Sequence, residues 1–493
     1  MPPPTRFGPA VGVLLAGALW AGVADARVAD PQRAQIVAQV DKGAPRLGEV
    51  AQQIWSFAEV GYQEAKSSAL LQKELKASGF AVEAGVAGMP TAFVARFRNG
   101  DGPVIAILAE FDALPGLSQR AEPGRAPIAG QDAGHGCGHH IFGAASVAAA
   151  QAVKAWMVAN DVKGEVRVYG SPAEEGGSGK VYLVRAGLFS DVSATLHWHP
   201  SDENDASQEI SLANISGKFR FAGLSAHASA SPEKGRSALD GVEVMNVAVN
   251  YLREHVPVGT RIHYVTTDGG SAPNVVPDKA EVYYYVRHAD PQVVRDVIGR
   301  IQKAAEGAAL ATETKVAFEQ TGGVYNMLPN DTLGRLMDQN LREVGGPKWD
   351  AKDSAFGQAM TAHLAPTKLT LASVAEVKPY ALGGGGGGST DVADVSWVTP
   401  TAGINTATWV PGTPAHSWQA VAAGGTPIAA KGGVVAAKTL ALTAADLLTD
   451  PATIAKAKAE LDQRRGGDFA YKAMVGDRPP PLDYRRKASE AKP

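Results

Sequence analysis

The chain has 493 residues, 45% of them hydrophobic and 20% charged, which supports a large apolar core and excludes a disordered or fibrous chain. A formal charge of -3 gives no basis for a nucleic-acid or anionic-membrane surface. The single cysteine, Cys137, excludes an intrachain disulfide.

Residues 1–26 carry Arg6, an apolar run from Val11 to Trp20, and then Ala24-Asp25-Ala26. This is the pattern of a secretory signal peptide cleaved after Ala26, so the sequence predicts a periplasmic or secreted protein with no membrane attachment after cleavage. The run is too short and too rich in glycine to span a bilayer. Leu47, Val50, Ile54, Phe57, Leu70, Leu71 and Leu75 recur at helical spacing and predict helix over 46–79. Thr91–Arg98 and Pro103–Ala109 read as strands, Ala144–Val158 as a small-residue helix, and Glu165–Gly170 as a strand. Val181–Ala186 reads as a helix and Ala194–His199 as a strand. Strands alternating with helices predict an α/β layer with a mostly parallel sheet.

The pattern changes after Asn214. Strand Lys218–Gly223, helix Ala238–Glu254, strands Arg261–Thr267 and Ala280–Arg287, helix Val293–Ala311 and strand Lys315–Gln320 follow in turn. The order βαββαβ matches a ferredoxin-like unit, and its place between two α/β segments predicts an inserted domain. Asp331–Val344 resumes helix. Residues 383–388 are consecutive glycines, a flexible linker or a backbone lining a ligand. Val435–Leu448 reads as the last core helix, and 449–493 as a helix plus a loose tail.

Chemistry-bearing residues fall in short clusters. In Gly134-His135-Gly136-Cys137-Gly138-His139-His140, a thiol and an imidazole two residues apart are flanked by glycines that let both turn to one point. Thiolate and imidazole suit borderline metals. Glu174 and Glu175 directly follow a strand; one can bind a metal while the other takes a proton from water. In His197-Trp198-His199-Pro200, positions i and i+2 share a strand face, so both imidazoles can face a site. His416 stands in the turn-rich Pro411–Trp418. Asp112, after another strand, can orient a ligand histidine. Each histidine taken singly is more often structural. Two other readings compete with a metal hydrolase: a cysteine-nucleophile hydrolase built on Cys137, and a binding protein with a degenerate metal site.

Five ordered motifs resemble the M20 metallopeptidase family, in its amidohydrolase branch of N-acyl amino acid and p-aminobenzoyl-glutamate hydrolases. They are Glu110–Pro115, His135-x-Cys137-Gly138-His139, Pro172–Glu175, Ala226-His227-Ala228 and Gly412-Thr413-Pro414-x-His416-Ser417. Ser389–Trp397 and His199-Pro200 resemble the p-aminobenzoyl-glutamate hydrolase-like subgroup. The resemblance implies an α/β metal-binding catalytic domain in two parts, 27–214 and 325–450, with an inserted ferredoxin-like lid and dimerisation domain over 215–324 and a tail over 451–493. It implies two divalent ions, Mn or Zn with Co able to substitute, held by Cys137, His139, Glu175, His199 and His416, with Cys137 bridging. His199 is chosen over His197 because the family ligand follows a strand at a fixed offset. Glu174 is the implied general base. His227, Asn274 and Arg287 are the implied substrate and oxyanion residues of a lid that acts across a homodimer. The implied reaction is hydrolysis of the amide of an N-acyl amino acid, an aroyl-glutamate among them, or of a dipeptide. One departure stands beside the motif: many relatives have Asp where this chain has His140.

Overall fold

The computed structural model describes residues 27–385 and 387–485, so the signal-peptide expectation for 1–26 lies outside the described residues. The segment expected as one helix over 46–79 is two. Helix α1 (Asp30–Phe57) begins much earlier, with Pro31 in its first turn, where a missing N–H is harmless. It buries Ile36, Val40, Leu47, Val50 and Ile54, then stops at Ala58, which takes a left-handed φ of 44°. Helix α2 (Ala65–Ala77) restarts because the Glu59 carboxylate accepts the N–H groups of Lys66 and Ser67 and the Ser67 hydroxyl. The leucines of the second helix keep a helical spacing of their own, so periodicity does not show the break.

The catalytic layer continues with β1 (Ala81–Ala84), β2 (Phe93–Arg98), β3 (Val104–Glu110), α3 (His139–Ala159), β4 (Glu165–Ser171), an irregular single turn α4 (Glu174–Gly177), α5 (Gly179–Arg185), β5 (Ala194–Ser201) and β6 (Gln208–Ile210). The lid follows as β7 (Ala213–Ala222), α6 (Ala238–Leu252), β8 (Arg261–Asp268), β9 (Lys279–His288), α7 (Pro291–Ala311) and β10 (Lys315–Val324). The chain then returns through α8 (Asp331–Val344), α9 (Ala351–Thr361), β11 (Leu382–Gly385), α10 (Val392–Ser396), β12 (Thr401–Ala407), α11 (Trp418–Gly424), α12 (Pro427–Thr449) and α13 (Pro451–Arg465).

The main sheet has the order β1-β2-β4-β3-β5-β12. Its strands β4, β3, β5 and β12 are parallel, while β1 and β2 add an antiparallel edge. The carboxyl ends of the parallel strands therefore open on one side, where open α/β sheets place their ligands. One apolar cluster joins Ile105, Ile107, Val166, Val168 and Leu196 of the sheet to Ile141 and Val153 of α3 and Leu440 and Leu447 of α12. Helices α3 and α12 are apolar on all sides because they are buried on all sides, a length and composition that would also suit a membrane span.

The lid sheet is antiparallel throughout, in the order β10-β7-β9-β8. Counted along the lid this is 4-1-3-2, the ferredoxin-like arrangement expected from sequence. Strand β7 starts earlier than Lys218, because Ala213 to Gly217 already pair with β9. Part of the glycine run is ordered sheet: β11 pairs in parallel with β6, and the Gly388 carbonyl accepts the Leu212 N–H at 2.9 Å. The expected loose tail is also corrected over 466–485, while its last residues, 486–493, lie outside the described residues. Residues beyond α13 bury Met474 and Val475 against the lid, two apolar side chains too few to register as periodicity.

Candidate metal centre

Each cluster reaches the same side of the sheet from a different strand end. Asp112 follows β3, Glu174 and Glu175 follow β4, His199 lies near the end of β5, and His416 follows β12. Cys137 and His139 come from the start of α3. Gly138 between them has φ 79°, and a Cβ there would fall 2.6 Å from Pro200 Cβ, so only glycine lets both flanking side chains turn inward.

Among the described residues, three groups each hold ligand atoms within 4.8 Å of one another: Cys137, His139 and His199; Cys137, Glu175 and His416; and Glu110, His139 and Glu174. Two sets share one sulfur. Cys137 Sγ is 3.4 Å from His199 Nε2, whose Nδ1 donates to the Pro200 carbonyl at 2.8 Å and so leaves Nε2 bare. His139 Nδ1 meets Asp112 Oδ1 at 2.8 Å, and the other Asp112 oxygen accepts the Glu175 N–H at 3.0 Å. Asp112 thus fixes an imidazole and the backbone of the carboxylate loop together.

His139 Nε2 faces Glu110 Oε2 at 3.0 Å, and His416 Nε2 faces Glu175 Oε1 at 3.1 Å. Even so, among the described residues Glu110 Oε2, His139 Nε2 and Glu175 Oε1 are buried and make no hydrogen bond. Buried polar atoms without partners demand an explanation. Cations shared among them supply one, and the S, N and O donor set fits Mn, Zn or Co.

Electrostatics agree. Burial, followed by the charges of Glu110 and Glu175, pushes Glu174 well above the usual carboxylate range. Burial also works to raise Glu175, but the imidazoles of His416 and His139 outweigh it and hold that group low. Burial pushes the Cys137 thiol up. Burial likewise holds His199 down at about 4, a neutral imidazole ready to ligate. A divalent cation among these groups pulls the thiol and the carboxyl groups toward their ionised forms.

The cavity beside the cluster measures about 380 Å³ and is lined by Glu174, His197, His199, Ser389 and Thr390 among others. His197 lies outside the ligand groups. Its ring rests on Gly403 across the sheet, where a Cβ would fall 2.2 Å from the ring. His140 turns to the Gly424 carbonyl at 2.9 Å, so the departure from the family motif serves packing at the end of α11. Arg287 reaches the cavity rim, donating to Ser389 Oγ at 3.1 Å. His227 and Asn274 stand together on an exposed lid turn, with the Ala228 N–H bonded to the Asn274 carbonyl at 3.0 Å, and neither lines this cavity.

Sequence reasoning missed two partners. Glu110, the last residue of β3, stood in a motif without a role, although it lies two positions before Asp112. Lys180 is fully buried, with Nζ 2.6 Å from Glu110 Oε1 and 2.7 Å from Asp391 Oδ1. No local signal links Lys180 to a residue 211 positions away.

A family model described as a peptidase dimerisation domain matches residues 213–313, the lid. Along 450 residues the chain is 40% identical to a p-aminobenzoyl-glutamate hydrolase polypeptide of Escherichia coli, covering 86% of this chain and 93% of that one. The chain belongs to the M20 metallopeptidase family. It is a metal-dependent amidohydrolase of that family. A second relative, the Xaa-Arg dipeptidase of Mus musculus, is 30% identical over 84% of this chain and 89% of its own length. Among solved structures, a dinuclear metal-binding M20 peptidase from Bacillus subtilis shares the fold, with a TM-score of 0.55 at 19% identity over 83% of this chain and 99% of that one.

Proposed function

We propose that this M20 enzyme hydrolyses the amide bond of N-acyl amino acids, with aroyl-glutamates such as p-aminobenzoyl-glutamate as first candidates. One observation carries the reading: Cys137, His139, Glu175, His199 and His416 converge beside Glu174, with His139 Nε2 and Glu175 Oε1 buried and making no hydrogen bond among the described residues. Those five residues would hold two divalent ions, Mn or Zn with Co able to substitute. Bound there, the ions supply Lewis acidity and a water of lowered pKa. Glu174 accepts the proton of the attacking water and returns it to the amine nitrogen as the C–N bond breaks. Asp112 keeps the His139 ring in one orientation and one tautomer. Arg287, at the cavity rim, pairs with a substrate carboxylate.

His227 and Asn274 are assigned to the oxyanion of a second copy's site, because they stand away from their own cavity. A homodimer through the lid is supported by Val244, Val247 and Tyr251, exposed on α6, and by the open edge of β8 with exposed Val265. Export of the chain, with cleavage after Ala26, is part of the same proposal; sequencing the N-terminus of the mature protein tests it.

Chelator treatment is expected to abolish turnover, and Mn, Zn or Co to restore it. Glu174→Gln is expected to keep its metal and lose about 10³-fold in kcat. A near-normal rate in that variant removes Glu174 as the base. The relative with dipeptidase activity makes dipeptides the second substrate class, and a panel of aroyl-glutamates, aliphatic acyl amino acids and dipeptides decides between them.

A further inference from the structure

The segment after α13 follows a definite course across the molecule. Tyr471 donates to Asp394 Oδ1 at 2.6 Å, and the Lys472 carbonyl accepts Arg295 Nη2 at 2.8 Å and the Tyr325 hydroxyl at 3.0 Å. Met474 and Val475 are buried against the lid. Arg478 donates to the Thr321 carbonyl, at the irregularity within β10 on the edge of the lid sheet. The chain then crosses to the catalytic layer. Arg185 of α5 grips the Gly476 and Arg478 carbonyls at 2.7 and 2.8 Å, and Gln63 Nε2 holds the Leu482 carbonyl at 2.8 Å.

At Tyr484 and Arg485 the segment reaches the metal loop. Tyr484 Oη and Arg485 Nη2 both donate to the backbone carbonyl of Glu175, at 2.9 and 2.7 Å. The loop needs outside support. Ala173 and Ser178 hold left-handed φ values of 57° and 60°, and Glu175 itself departs from helical geometry with ψ 61°. A backbone of this kind costs on the order of 1–3 kcal/mol per strained residue and persists only where its surroundings impose it. Tyr62 donates to the Gly177 carbonyl at 2.7 Å, and its ring meets Tyr484 edge-on at 5.8 Å. Gly61 leaves the room for this contact: a Cβ there would lie 2.3 Å from the Tyr484 hydroxyl.

We propose that residues 466–485 form a positioning strap whose last two side chains, Tyr484 and Arg485, set the geometry of the Glu174–Glu175 loop from outside the metal cluster. The strap rests on the reading of Glu175 as a metal ligand. Neither Tyr484 nor Arg485 lines the cavity beside the cluster; both act through the carbonyl that fixes where the Glu175 side chain starts. Because the same segment is pinned to the lid at Arg295 and Thr321, it also links lid position to that loop.

The test uses full-length Tyr484→Phe/Arg485→Met, which keeps both side-chain bodies and removes both donors. After chelation, the chain is titrated with Co²⁺ and its visible absorption is recorded. The variant is expected to keep the parent's circular dichroism, bind Co²⁺ about 10–100-fold more weakly, and show a changed cobalt spectrum. The reloaded enzyme is expected to lose kcat with KM unchanged within about twofold. Truncation after Arg485 should match the parent, and truncation after Leu482 should match the double variant. If that truncation fails to fold, the double variant alone decides. Parent-like affinity, spectrum and kcat in the double variant overturn the strap. Glu175→Ala is titrated alongside: undiminished metal binding there overturns the ligand reading itself, whereas weakened binding there with parent-like behaviour in the double variant overturns only the strap.

Discussion

Cys137 is the residue on which most of the site's chemistry converges. Its sulfur belongs to two ligand groups at once, the position a bridging ligand would take. Cys137→Ser is expected to lower metal occupancy below two ions per chain, measured by elemental analysis after dialysis. A stoichiometric two-ion preparation removes the bridging role. Lys180 presents a different case. It is a buried cation between two buried carboxylates, and Lys180→Met leaves Glu110 and Asp391 facing each other without it. Removing one partner from a buried ion cluster costs about 3–5 kcal/mol. The expected outcome is a clearly lowered denaturation midpoint in the apo protein, measured by urea titration, and an unchanged midpoint contradicts the role given to the cluster.

Elements place these residues, and their boundaries proved less legible than their existence. Strands β2, β3, β4 and β5 were readable because β3 is a short apolar run and the others carry β-branched and aromatic residues between turn signals. The break between α1 and α2 was not, because it depends on a carboxylate cap by Glu59 and on the pairing of Val60 with Ala113, which is distant in sequence. Helix α10 carries a pH-sensitive joint with the strap. Asp394 on that helix accepts from Tyr471 and from the Tyr325 N–H, and burial raises its acid from 3.8 to about 7. Between those values the folded protein keeps a proton that the unfolded chain releases. This contribution to stability is therefore fully present below about pH 4 and is lost as pH rises toward 7. Asp394→Asn is expected to gain stability relative to the parent over that interval, measured as the difference in urea midpoints. A difference that stays flat from pH 4 to 7 contradicts the assignment.

At the scale of the whole molecule, the lid leaves an apolar helix face and an open sheet edge exposed together. Such a pairing suits a symmetric interface in which β8 of one copy continues into β8 of the other. Light scattering of the intact chain is expected to give a dimer, and Val247→Glu/Tyr251→Glu to give a monomer with much reduced turnover. A monomeric parent with full activity removes His227 and Asn274 from any second copy's site. The strap adds a route by which lid position reaches the metal loop within one chain.

The sequence alone determined the family, the ferredoxin-like insertion and the candidate ligands. These rest on information that is local: motifs of a few residues, alternation along strands, helical periodicity and the order of elements. Tertiary structure decided what depends on distance through space. It separated His199 from His197, because the strand register sets one ring over Gly403 and the other against Cys137. It gave Glu110 its place in the cluster, joined Lys180 to Asp391, and turned His140 toward Gly424. It also made an ordered strap of a tail that read as loose. Residues with few apolar side chains carry no periodicity, and their order comes from carbonyls gripped by side chains that belong to other elements.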